Sequence, residues 1–198
     1  MKILLAFFIL ISSLQTWTKA NDISDFEIEG ISVGESLLNF FNKNFIDELK
    51  YFNYDSSEMY SLYVKDNLKT YEEIEINFKN NDDNYVVQAI AGIEVIEIKE
   101  CLKKKKIITN ELKSLFNLEP EEWIHKYDNN YLTSGTNVSI TSESTAHLSE
   151  WNFSNGDKVR IWCSKWGDDV IREFNWNNEL HVKIQNKNWM DFLIKQTK

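Results

Sequence analysis

The sequence predicts an α+β domain whose antiparallel sheet is packed by helices. Three observations carry this. Apolar residues recur at helical spacing in some segments and in strict alternation in others. The two kinds of segment come in blocks rather than taking strict turns, which favours strand meanders over parallel crossovers. Asn155-Gly156, between two strand-like runs, is the strongest short hairpin signal in the chain.

Residues 1–20, MKILLAFFILISSLQTWTKA, read as a secretory signal peptide. Lys2 supplies the positive start, and Ile3 to Ile11 form an apolar run too short to span a bilayer comfortably. Thr18-Lys19-Ala20 offers a small-x-small cleavage site before Asn21. Residues 21–198 then form a single α+β domain, with possible halves at 26–96 and 98–198. No transmembrane segment is expected in the mature chain. The expected location is periplasmic or secreted.

Phe26 to Gly30, FEIEG, alternates like a short half-buried strand, and Ser32 is expected to open a helix bearing Val33, Leu37, Phe40 and Phe41. Asn44-Phe-Ile-Asp47 reads as a second, shorter helix start. Three strands follow: Met59 to Lys65, Tyr71 to Phe78 and Tyr85 to Ile96. In the second, Ile74, Ile76 and Phe78 share one face, and Gly92 in the third marks a bulge or bend. A long helix is predicted from Ile98 to Phe116, with Ile98, Cys101, Leu102, Ile108, Leu112, Leu115 and Phe116 as its apolar stripe. Pro120 suits the first turn of a short helix over Glu121 to Ile124. Residues 128–144 are polar and read as a mobile loop. His147 to Phe153, Lys158 to Trp166 and Leu180 to Ile184 complete the strands, and Asn188 is expected to cap a last helix with Trp189, Phe192 and Leu193. Each half thus reads as a helix, a short helix and three strands.

The formal charge of −9 becomes −11 once Lys2 and Lys19 leave with the signal, so an acidic protein results and nucleic acid is not an expected partner. Lys103 to Lys106 is the only basic run and reads as a solvated helix face. Cys101 and Cys163 both lie in the exported part. In an oxidising compartment they suggest one disulfide, closing a loop of about 60 residues worth roughly 4 kcal/mol. Two buried free thiols are the alternative.

Gly30-Ile-Ser-Val-Gly34 matches the G-x-S-x-G elbow of serine hydrolases, and Gly34-Glu-Ser-Leu37 is one residue from the GDSL signature. Ser32 and Ser36 are therefore candidate nucleophiles. A nucleophilic serine needs a supported base. His125, His147 and His181 follow Glu122, Ser144 and Asn178 by three residues, so none completes the D-x-x-H pair of the GDSL class. Ser32-Val-Gly-Glu35 instead reads as a capping box, worth about 1 kcal/mol. Asp82-Asp83 and Asp168-Asp169 are turn-like, and no metal or cofactor motif is read. Asn137-Val-Ser139 and Asn152-Phe-Ser154 match the glycosylation sequon.

Along Lys158 to Trp166 one strand face carries Val159, Ile161 and Cys163, and the other Arg160, Trp162, Ser164 and Trp166. The second face can align with His181 and Lys183 on the neighbouring strand. Trp and Arg together are enriched in binding hot spots, and such a face could stack a sugar or clamp an anion. It is the candidate binding surface.

IEGISVGESLLNFF, ECLKKKK, VRIWCSKW, LHVKIQ and NWMDFL together resemble a family of small exported proteins from marine alphaproteobacteria of the Pelagibacter type. The resemblance covers most of the mature chain. It implies export and a cysteine pair in corresponding places, and supplies no activity. The order of elements also looks like that of β-lactamase inhibitor proteins and small outer-membrane assembly proteins, a likeness of fold alone. The reading favoured is an exported, non-catalytic binding or interaction module of the cell envelope, with an envelope protein or a small ligand as partner. The alternatives are a GDSL-like serine esterase using Ser36 or Ser32, and a structural envelope protein.

Overall fold

The computed structural model describes residues 23–52, 58–129 and 138–196. The expected signal peptide and Asn137 of the first sequon lie outside the described residues. Nine strands and four α-helices are described: β1 (Glu27–Ile28), β2 (Ile31–Ser32), α1 (Lys43–Leu49), β3 (Met59–Val64), β4 (Glu73–Lys79), β5 (Val87–Val95), α2 (Ile98–Phe116), β6 (Glu121–Lys126), β7 (Thr145–Asn152), β8 (Lys158–Lys165), α3 (Asp168–Phe174), β9 (Glu179–Gln185) and α4 (Lys187–Gln196). The fold is mixed α+β. One antiparallel sheet has seven strands in the order β3-β4-β5-β9-β8-β7-β6, and β1 and β2 form a separate two-stranded ribbon. None of the described helices is long and apolar enough to cross a membrane.

The chain divides into two compact units, each with its own packing. The first comprises Met1–Gly92, Asn152–Val159 and Lys183–Lys198. In its sheet core Leu62, Ile74, Ile76 and Phe78 are fully buried as the alternation predicts, and β5 is buried on both faces from Val87 to Ile93. Asn77, on the opposite face of β4, is also buried, and its Nδ2 donates to Ser61 Oγ at 2.9 Å. Trp189 and Phe192 of α4 pack on Met59 and Ala89. That helix opens at Lys187, where Asn186 rather than Asn188 accepts the Trp189 N–H at 3.1 Å.

The helix expected from Ser32 is absent. FEIEG turns back on itself through Glu29 and Gly30, both at positive φ, so β1 pairs with β2 in an antiparallel ribbon. Backbone pairing then carries the chain past the proposed helix start: Gly34 N–H donates to Val87 O and Val87 N–H to Glu35 O, each at 2.9 Å. Gly34 has φ +94°, which a helix cannot use. Only a single 3-10 turn forms, over Leu37–Asn39. The Glu29 carboxylate fixes this corner by accepting the N–H groups of Lys69, Thr70 and Tyr71 at 2.7, 2.7 and 3.0 Å. Gly92 is explained by close approach: a Cβ there would lie 2.5 Å from the Tyr71 ring.

The second unit comprises Ile93–Trp151 and Arg160–Val182. The predicted long helix is present with the expected ends, as α2. Its Cys101 is buried and bridged to Cys163 of β8, with the Cα atoms 5.9 Å apart. The buried stripe differs from the expected one. Lys105 and Thr109 are buried with Cys101, Ile108 and Phe116, while Leu102 and Leu115 are exposed. The Lys105 ammonium is drawn inward by Ser149 Oγ and by Glu122 Oε1 at 3.1 Å. The four-lysine run is therefore not a free basic face, since Lys104 pairs with Glu94 and Lys103 with Glu100.

Two further differences follow from tertiary pairing. Glu121 to Ile124 is not a helix but the start of strand β6, antiparallel to β7 with Glu121 opposite Glu150 and Lys126 opposite Thr145. Asp168-Asp169 is not a turn but the first turn of α3, where acidic side chains suit the helix dipole. Asp169 also ties down the end of the polar segment: its Oδ2 accepts the N–H groups of Thr141 and Ser142 at 2.6 and 2.9 Å. The Asn155-Gly156 hairpin is present between β7 and β8, closed by Phe153 N–H to Asp157 O at 2.9 Å with Gly156 at φ +92°.

Candidate functional site

The two serines sit in the first unit, and the three histidines of the chain all fall in the second. Ser32 is buried, and its N–H donates to Glu35 Oε2 at 2.9 Å. That is half of a capping box, made without the helix. Ser36 caps the 3-10 turn by accepting from Leu38 N–H, and its hydroxyl donates to Asn84 O at 2.6 Å. Both serines are thus built into the backbone network of the segment after β2, where residues 34–37 pair with residues 85–87.

On β8 the strand alternation places Val159, Ile161 and Cys163 inward and leaves Arg160 and Trp162 half-buried on the opposite face, where Ser164 is buried; Trp166, also half-buried, follows the end of the strand. On β9, Leu180 and Val182 are buried, and Glu179 and His181 are half-buried. The Trp162 and His181 rings stack nearly parallel, 4.4 Å between centroids and 7° between planes. Glu179 Oε2 lies 2.9 Å from His181 Nε2 and so orients the imidazole.

Trp166 anchors a second stack. Its ring lies on Tyr127 at 4.7 Å, and Trp176 meets it edge-on at 4.6 Å. His125 meets Tyr127 edge-on at 5.0 Å, and Phe174 packs on Trp176 at 5.6 Å. Tyr127 shares a hydrogen bond with Ser164, and burial raises its phenol pKa, with the nearby Glu179 carboxylate pushing the same way. The Trp162–His181 pair and the Tyr127–Trp166–Trp176 stack thus both lie in the second unit.

The two cations play a different part from the one expected. Arg160 Nε donates to Glu150 Oε2 at 2.7 Å, and Glu150 is buried. Lys183 falls in the first unit, where its ammonium meets Glu75 Oε2 at 3.2 Å and lies 5.0 Å over the Trp189 ring. Both cations are paired with carboxylates within the chain. The sequence reading missed Tyr127, Trp176 and Glu179. Glu179 shares the parity of His181 and Lys183 and could have been found from it. Tyr127 and Trp176 follow the ends of elements that were read differently.

Among the described residues no group of three or more His, Cys, Asp or Glu side chains is placed to hold a metal ion. No family model, curated protein or solved structure matches the chain.

Proposed function

We propose that the protein is an exported, non-catalytic binding or interaction module of the cell envelope, and that its contact surface is the aromatic face around Trp162, His181, Tyr127, Trp166 and Trp176. The stacked Trp162–His181 pair carries this reading: two polar-edged rings are held parallel and half-buried, and a carboxylate fixes the imidazole. Rings with polar edges suit surfaces that are wet at one side and packed at the other. With Arg160 and Lys183 already paired, the face suits a ligand that stacks and donates hydrogen bonds, such as a saccharide or an aromatic-rich protein segment, rather than an anion. Export rests on the N-terminal signal pattern, on the Cys101–Cys163 bridge and on the resemblance to small exported proteins of marine alphaproteobacteria.

Trp162→Ala and Trp166→Ala test the surface. Each should abolish partner recovery from envelope extracts and the change in tryptophan emission on adding envelope saccharides, while leaving the circular dichroism of the fold intact. Unchanged recovery and emission in both variants would exclude this face. A fluorophosphonate probe separates the esterase reading: a covalent adduct on Ser32 or Ser36 in the intact mass would make the protein an enzyme.

A further inference from the structure

Strand β6 is the last strand of the seven-stranded sheet, and all six of its residues are exposed. Trp123 is 39% exposed and Ile124 58%. Among the described residues no strand pairs with its outer edge. An open edge of this length is a template for another strand, and proteins usually blunt it with charge. Here the charges are arranged so that they do not blunt a pairing of the strand with itself.

A two-fold axis perpendicular to a sheet joins two copies of an edge strand antiparallel and keeps the same faces on the same side. Each residue then faces one of its own parity. Centred on Trp123, this places Glu121 opposite His125 and Glu122 opposite Ile124, which leaves a carboxylate against an apolar side chain. Centred on Ile124, it places Ile124 opposite its own copy, Trp123 opposite His125, and Glu122 opposite Lys126 on both sides of the axis. The second register puts apolar against apolar, ring against ring and opposite charges together, the pairs that stabilise neighbouring strands.

The groups are able to take part. Both hydrogen bonds to Glu122, from Lys105 and from Ser149, fall on Oε1. Among the described residues Lys126 makes a surface pair with Glu143 at 2.8 Å, both side chains being more than 60% exposed, and such a pair is weak enough to exchange. We infer that β6 is a self-complementary edge, and that two copies of this chain associate through it as an antiparallel pair centred on Ile124.

Sedimentation velocity over a concentration series of the chain without its signal should show a monomer–dimer equilibrium. Ile124→Lys, which sets two lysines against each other on the axis, should give a monomer at every concentration with the circular dichroism of the wild type. Lys126→Glu turns two opposite-charge contacts into like-charge ones and should raise Kd by roughly tenfold. Register is tested by oxidation. Ile124→Cys should cross-link to its own copy, since facing residues in an antiparallel pair lie about 4.5–5.5 Å apart, within disulfide reach. Lys126→Cys should not, because the two copies of residue 126 stand roughly 14 Å apart along the strands. A wild-type chain that stays monomeric, a dimer that survives Ile124→Lys, or equal cross-linking at the two positions would overturn the inference. The first outcome would leave the edge to an extended segment of another protein.

Discussion

Replacing both bridged cysteines by alanine, Cys101→Ala with Cys163→Ala, should weaken the second unit by about 4 kcal/mol, the chain-entropy value for a loop of this size. The two half-cystines are 62 residues apart in sequence and fully buried. Opening the loop frees the unfolded chain, and the small voids left at two buried positions add to the loss rather than oppose it. The assay is urea unfolding followed by tryptophan emission. Of the six tryptophans after residue 20, Trp123, Trp151, Trp162, Trp166 and Trp176 lie in the second unit and Trp189 in the first, so the signal follows the unit that holds the bridge. With a slope of about 2 kcal/mol per molar, the midpoint should fall by roughly 2 M. Reduced wild-type protein should behave as the double variant does. A midpoint shift below about 0.5 M, equivalent to about 1 kcal/mol at that slope, would refute the claim that this loop is a main source of the unit's stability.

Gly92→Ala should destabilise the first unit by about 1–3 kcal/mol, the usual cost of overpacking, because the new methyl meets the Tyr71 ring; adding Tyr71→Ala should recover part of it, and equal midpoints for Gly92→Ala and wild type would exclude the close approach. Asp169 is held below the usual aspartate range, chiefly by the backbone N–H of Thr141. Its contribution is therefore full above the unfolded value of about 3.9 and is lost as the pH falls through the lower folded value. Melting curves of Asp169→Asn should lie below wild type near neutral pH and converge with it in strong acid; a constant gap at every pH would contradict the assignment. Burial lowers the pKa of His147, helped by the charges of Lys105 and Lys165. Stability should fall as the pH drops below about 6.5, the unfolded histidine value, and His147→Gln should flatten that slope in thermal melts, whereas an unchanged slope would point to another group.

Much of the architecture could be read from short-range pattern. The ends of α2, the hairpin at Asn155-Gly156 and the buried face of Ile74, Ile76 and Phe78 all follow from periodicity or turn chemistry within a few residues. The errors share a different cause. Ser32 begins no helix because the backbone of residues 34 and 35 pairs with Val87, some fifty residues on, and local capping signals carry no information about such a partner. Glu121 to Ile124 became a strand for the same reason, since β7 supplied the pairing. Lys105 is inside because Ser149 and Glu122 wait for it there, which a hydrophobicity count cannot register. In the candidate site the parity of β8 and β9 was legible and brought Trp162 and His181 together. The pairing of Arg160 with Glu150 and of Lys183 with Glu75 was not, and it changed the chemistry the face can offer.

The most direct test of the aromatic face is a photo-reactive benzophenone side chain in place of Trp176, which is 40% exposed at the end of the Tyr127–Trp166–Trp176 stack, compared with the same group at exposed Lys106 on α2. Irradiation in intact cells should give a discrete adduct from position 176 that disappears with Trp162→Ala and Trp166→Ala, and none from position 106. No adduct at 176, or the same adduct from both positions, would contradict the assignment of this face as the binding surface.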